Sequence, residues 1–157
     1  GIPLMGLAFG CASRSDCFVP APRQLLYFPG GGFEVSFLSF LVVDGEGNVN
    51  VSKRGKKPYL TAGCGGFGDI TSGAKKSVFS GWFEAGAQIE QTPEGINVTA
   101  PGKFTKMVEA VEHVTFSGQR ARELGQEVLY ITERCVRRLG AAGLVATGIM
   151  PGLDPDR

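Results

Sequence analysis

The sequence predicts a β-rich α/β domain with a single core, on three observations. The 157 residues suit one domain with chain enough to bury a real core. Short apolar runs rich in β-branched and aromatic residues alternate with glycine- and proline-marked turns, the signature of short strands. No linker composition and no internal repeat interrupts them.

In chain order, Pro3, Pro20, Pro22 and Pro29 leave the first thirty residues irregular. Gly30-Gly31-Gly32 opens a run from Phe33 to Val43 that is apolar almost throughout. Its composition, and the turn Asp44-Gly45-Glu46-Gly47 that ends it, predict a strand. Asn48 to Ser52 is a second extended piece, and Lys53 to Lys57 a basic loop. Lys75 to Gly81 reads as a strand preceded by a short helical turn. Ala87 to Gln91 and Gly95 to Thr99 form a hairpin about Thr92-Pro93-Glu94-Gly95. Phe104, Met107, Val108 and Val111 stand at i, i+3, i+4 and i+7, which predicts an amphipathic helix over Lys103 to Val111. Val128 to Thr132, Cys135 to Leu139 and Leu144 to Thr147 are short strands, the last two joined at Gly140 to Gly143.

Composition narrows the function classes. The formal net charge of +1 gives no basis for nucleic acid or an anionic membrane as partner. The longest apolar stretch, Phe37 to Val43, is far too short to span a bilayer. Four scattered cysteines (Cys11, Cys17, Cys64, Cys135) and a single histidine argue against zinc and against a disulfide network. No metal is expected. Asn50-Val51-Ser52 and Asn97-Val98-Thr99 match the glycosylation pattern, but without a signal peptide they read as ordinary polar groups. Both ends of the chain read as those of a fragment or a processed product.

Glycine is the informative residue, at 24 of 157, roughly twice average usage. It gathers in short knots, above all Ala62-Gly63-Cys64-Gly65-Gly66-Phe67-Gly68-Asp69. Gly63, Gly65 and Gly68 satisfy G-x-G-x-x-G, but Lys56-Lys57-Pro58-Tyr59 before them is a poor central strand for a dinucleotide site. A purely structural turn and a backbone anion site remain open, the latter because bare glycine N–H groups can be offered to an anion. Among other chemistry-bearing residues, Glu133 and Arg134 read as a structural pair at a sheet end. Glu34 is either a cleft carboxylate or a solvated one. His113 reads as a strand-face histidine, and Cys64 as a small buried thiol rather than a nucleophile.

Six segments in fixed order resemble the C-terminal part of the β half of family I coenzyme A transferases, the acetate/propionate and 3-ketoacid type. They are Gly1-Ile2-Pro3, Tyr27-Phe28-Pro29-Gly30-Gly31-Gly32, Gly47-Asn48-Val49-Asn50-Val51-Ser52, Ala62-Gly63-Cys64-Gly65-Gly66-Phe67, Val114-Thr115-Phe116-Ser117-Gly118 and Tyr130-Ile131-Thr132-Glu133-Arg134-Cys135-Val136. The resemblance covers nearly the whole chain, 1–157. It implies an open α/β fold shared with glucosamine-6-phosphate deaminases and ribose-5-phosphate isomerases. It also implies an acyl-CoA:carboxylate CoA-transferase, acting on a short-chain carboxylate or 3-keto acid through a glutamyl-CoA thioester, in short-chain fatty acid or ketone body metabolism. By the same resemblance the backbone N–H groups of Gly66 and Gly65 are oxyanion donors, and Asn50, Gly63 and Phe67 bind substrate or CoA. Coenzyme A is a substrate and no cofactor is held permanently. The implied partners are acyl-CoA, a small carboxylate and the α-type half or subunit of the same enzyme, in a homo- or hetero-oligomer. The implied location is the cytoplasm, or the mitochondrial matrix in a eukaryote.

The sequence also departs from that family. The nucleophilic glutamate of the family falls before Gly1, so the chain by itself is expected to be inactive. Gly68-Asp69-Ile70, Arg137, His113 and Trp82 replace the residues usual at those places. Trp82 is expected to narrow the pocket, and Arg137 to face solvent or find a partner. An acyl-CoA hydrolase of the same fold and a non-catalytic, partner-stabilising half-domain are the alternatives.

Overall fold

The computed structural model describes residues 2–4, 6–8, 11–31, 33–55 and 60–153. Parts of several expected features (Gly1, Gly32, the loop 56–59 and the tail 154–157) lie outside them. The chain begins with a two-stranded ribbon, β1 (Ile2–Pro3) and β2 (Ala12–Ser13), and a helix α1 (Ala21–Tyr27). Strands β3 (Val35–Ser39), β4 (Val42–Asp44), β5 (Val49–Asn50), β6 (Lys53–Arg54) and β7 (Leu60–Thr61) follow. After helix α2 (Phe67–Gly73) come β8 (Lys76–Ser80), β9 (Glu84–Ala85), β10 (Gln88–Thr92), β11 (Gly95–Ala100), β12 (Phe104–Thr105) and β13 (Met107–Val108). Helix α3 (Gly118–Glu123) then leads to β14 (Glu127–Ile131), β15 (Cys135–Gly140) and β16 (Gly143–Ile149).

The main sheet has the order β16-β15-β14-β8-β3. Its β3, β8 and β14 run parallel, while β14, β15 and β16 form an antiparallel meander. The register puts Leu38, Phe79 and Tyr130 side by side on one face. That face carries the core: Phe79 and Tyr130 are fully buried and stack with centroids 5.4 Å apart, and Phe67 and Phe116 close over Phe79 at 5.8 and 4.9 Å. Each such side chain stabilises the fold by about 1.5–3 kcal/mol through removal from water. The other face presents Val35, Phe37, Ile131 and Val145, all exposed. A three-stranded sheet, β13-β4-β5, packs Val43 and Val49 into the same core.

Several expectations are corrected. Phe33 to Val43 is two strands, not one: Leu41 N turns to donate to Asn50 O at 3.0 Å, and β4 enters the second sheet. An all-apolar run carries no period that could mark this crossing. The opening residues hold a helix whose Pro22 stands in the first turn, where a missing N–H costs nothing. Lys103 to Val111 is not helical. Lys106 N donates to Phe83 O and its carbonyl accepts from Val43 N, so its backbone bonds run across strands. Helix α3 was not anticipated; Ser117 caps it, accepting from Arg120 N at 3.2 Å. The hairpin about Pro93-Glu94 forms as expected, from β10 and β11.

Candidate active site

The parallel strands β3, β8 and β14 end together, and ligands of open α/β sheets bind outside such carboxyl ends. Here Ser39 leads into Phe40, Ser80 into Gly81 and Ile131 into Thr132. A cleft of about 360 Å³ opens at this edge, lined by Ser39, Phe40, Leu41, Val51, Gly63, Cys64 and Phe67. Larger depressions of about 400 and 470 Å³, one between α2 and α3 and one beside the Glu84–Arg134 pair, contain none of Gly63 to Gly66.

The glycine run forms the rim of this cleft. Ala62 N is anchored to Ser52 O at 2.8 Å, and Phe67 N to Cys64 O at 3.0 Å, which pins both ends of a tight bend. Gly65 holds φ at +53°, in the left-handed region that glycine enters without penalty. Among the described residues, the N–H groups of Gly65 and Gly66 meet no acceptor. Gly65 is exposed and Gly66 half-buried. Gly63 is exposed beside them.

Phe67 has a double position. Its ring is buried in the core against Phe79, and one edge reaches the cleft wall. Asn50 is placed differently from a direct ligand contact. Its side chain is fully buried, Nδ2 donates to Lys53 O at 2.6 Å, and Oδ1 accepts from Ser52 N and Lys53 N, both at 3.1 Å. Asn50 therefore shapes the turn to which Ala62 is tied, and acts on the cleft through that turn.

Cys64 corrects the expectation of a buried thiol: it is exposed on the bend. His113 is exposed in a loop, its Nδ1 2.6 Å from Ser52 Oγ, so it braces the same turn. Trp82 is exposed and does not line the cleft, so it narrows nothing there. Glu34 is an exposed carboxylate paired with Lys75 Nζ at 2.9 Å. Glu133 is structural as read: Oε2 accepts from Phe83 N at 2.8 Å, and Oε1 lies 3.3 Å from Arg134 Nε. Arg137 is half-buried, its guanidinium 5.9 Å from the Phe83 ring. Phe40, which forms the cleft floor, was missed as a site residue; its place at the end of an apolar run was the available signal. Among the described residues no three His, Cys, Asp or Glu side chains converge as a metal site would require. No helix there is long and apolar enough to cross a membrane.

A cleft at the end of a parallel strand, bordered by a glycine bend, belongs to an open α/β domain. Comparison with known proteins gives its relatives. No protein-family model matches the chain. The acetate CoA-transferase YdiF of Escherichia coli K12 is 38% identical over 98% of the chain, and the caffeate CoA-transferase of Acetobacterium woodii is likewise 38% identical over 98%. The chain spans 29% and 30% of the lengths of these two relatives. The crystal structure of the YdiF acyl-CoA transferase apoenzyme from E. coli O157:H7 superposes with a TM-score of 0.85 at 34% identity, over 94% of this chain and 28% of that one. Its thioester complex with CoA gives 0.84, over 92% and 28%. The decarboxylase AibA/AibB, at 17% identity and a TM-score of 0.60 over 85% of this chain and 47% of that one, shares the fold alone. Across almost its whole length the chain is a homologue of the CoA-transferases.

Proposed function

We propose that the chain is the C-terminal portion of the β-type domain of an acyl-CoA:carboxylate CoA-transferase, and that its glycine bend stabilises the oxyanions of the exchange. The carrying observation is the pair of amides at Gly65 and Gly66 that meet no acceptor among the described residues, on a bend whose flanking Gly63, Cys64 and Phe67 line a cleft at the carboxyl end of β3. In this reading a glutamate from outside residues 1–157 attacks the acyl-CoA carbonyl. CoA thiolate leaves and an acyl-glutamyl anhydride remains. The thiolate then attacks the glutamyl carbonyl, releasing the carboxylate and leaving a glutamyl-CoA thioester. An incoming carboxylate runs the same steps in reverse. Covalent catalysis divides one difficult exchange into easier ones. Each step passes through a tetrahedral oxyanion, for which one preorganised donor is commonly worth about 2.7–4 kcal/mol.

Gly63 and the exposed edge of Phe67 border the acyl or pantetheine path, and Asn50 holds the supporting turn. The substrates are an acyl-CoA and a small carboxylate, and the α-type half of the enzyme completes the site. The chain by itself lacks the nucleophile and is inactive.

The test is CoA exchange between an acyl-CoA and acetate by the full-length gene product, with mass spectrometry, without reductant, of the peptide just before Gly1 from enzyme treated with acyl-CoA. A glutamyl-CoA adduct there, and turnover stimulated by carboxylate, is the expected result. Competent substrates with no adduct overturn the reading. CoA release indifferent to acetate marks a hydrolase instead.

A further inference from the structure

Two cations, Arg54 and Lys106, lie over aromatic rings near the cleft, and one of them leaves a buried donor unmade. Arg54 ends β6, the strand that follows the Asn50 turn, and its guanidinium carbon lies 3.2 Å from the centroid of the Phe104 ring. The ring covers one face of the guanidinium. At its edge Nη1 is buried and meets no hydrogen-bond acceptor. Lys106 lies between β12 and β13, with Nζ 5.6 Å from the ring centroid of Phe40, the residue that floors the cleft. Burial first, and then the Arg54 charge, pull the Lys106 ammonium below its usual basicity, while Glu133 opposes them. That one acidic neighbour accepts from Phe83 N at Oε2, while Oε1 lies 3.3 Å from Arg134 Nε in an ion pair without a hydrogen bond.

Packing a cation on an aromatic ring accounts for the Arg54–Phe104 contact. It does not account for a buried N–H with no acceptor. A buried donor left unmade costs about 1–3 kcal/mol, more when it is charged. Burial of the Lys106 ammonium adds to that cost. Both deficits vanish when an oxyanion enters, because a carboxylate or phosphate supplies the missing acceptor and the missing charge. Arginine's planar fork suits such a group and lysine adds a point charge.

We infer that Arg54 and Lys106 form an oxyanion-binding subsite beside the Phe40 floor of the cleft, which takes a carboxylate or phosphate group of a substrate. The identity of that substrate rests on the transferase reading; the subsite itself does not. Two sources share the chemistry: the small carboxylate that accepts CoA, and the phosphates of CoA.

The experiment measures binding without turnover. Sodium propionate and, separately, CoA are titrated calorimetrically into the full-length protein and into its Arg54→Gln, Arg54→Lys and Lys106→Met variants, each first checked by thermal melting. Loss of one charge-assisted contact predicts at least about tenfold weaker binding of one ligand in Arg54→Gln and in Lys106→Met, with Arg54→Lys in between. Weakened propionate with unchanged CoA assigns the subsite to the acceptor carboxylate. Weakened CoA with unchanged propionate assigns it to a phosphate. Unchanged binding of both, or binding of neither ligand to the unaltered protein, overturns the inference. Should Arg54→Gln not fold, the other two variants still decide. A protein that binds propionate through these residues yet exchanges no CoA refutes the transferase reading and leaves the subsite standing.

Discussion

Tyr130 Oη donates a 2.6 Å hydrogen bond to the carbonyl of Gly47, across 83 residues of sequence. The bond fastens the connection between β4 and β5 to the middle of the main sheet. Gly47 is at φ +82°, and a Cβ there would lie 2.6 Å from Leu139 Cδ1 and 3.0 Å from the tyrosine oxygen itself. The two residues thus need each other's shape as well as their bond.

Tyr130→Phe removes the donor and leaves the buried Gly47 carbonyl without this partner, so chemical denaturation should show a loss of about 1–3 kcal/mol. Burial, and then the Asp44 charge, raise the phenol's pKa in the fold. An acid whose folded pKa is raised ionises more easily when unfolded. Its contribution is complete below the ordinary phenol value of about 10 and declines as pH rises beyond it. Wild-type stability should fall above that pH more steeply than the variant's. Parallel pH profiles would show that the phenol does not carry the alkaline loss.

Asn50→Ala should cost about 2 kcal/mol in the same assay, since it removes the acceptor of two backbone N–H groups and the donor to Lys53 O. Because Ala62 hangs on Ser52 O, exchange activity of the complete enzyme should fall as well. Full activity in a destabilised variant would separate the turn from the cleft.

Glu84 gives an acid-side counterpart. The backbone N–H of Gly102 is the main force lowering its pKa; burial opposes it, and the Arg134 guanidinium, 2.8 Å away, assists. A carboxylate with a lowered folded pKa stabilises fully above its unfolded value, near pH 4, and loses that contribution as pH falls through the folded value. Glu84→Gln should therefore be less stable than wild type at neutral pH, with the gap closing below about pH 4. A gap independent of pH would mean that shape, not charge, is what the glutamine lacks.

The strands that hold the site were legible because their composition and punctuation agree. Val128 to Thr132 and the Pro93-Glu94 hairpin fall within a residue or two of where the sequence puts them. Lys103 to Val111 failed for a physical reason. Two short strands in different sheets, β12 and β13, can place apolar residues at helical spacing by coincidence, and only the cross-strand bonds of Lys106 distinguish the cases. Arg54 and Lys106 escaped notice for that same reason: their neighbourhood exists only once β6, β12 and β13 are assembled. The glycine bend was visible as a run of residues without side chains. That its thiol would be exposed was not, because burial of one small residue is set by what packs around it, not by its type.

Gly66→Val is the sharpest trial of the bend. Gly66 sits at φ −80°, ψ 13°, on the negative-φ side open to residues other than glycine, so the substitution needs no left-handed backbone. A Cβ would meet Leu25 Cδ2 at 2.7 Å, the far end of a flexible side chain that can turn away, so the stability loss should stay within about 1–3 kcal/mol. The added methyl groups, however, stand beside the amides that the proposed reaction uses, and on that proposal they hold a thioester carbonyl off them. Losing one such donor lowers turnover about 10²–10³-fold. Denaturation midpoint and kcat should therefore separate in the complete enzyme, with the midpoint moving little and kcat collapsing. A variant that turns over normally would show that the carbonyl never approaches Gly66, and the oxyanion would have to be held elsewhere.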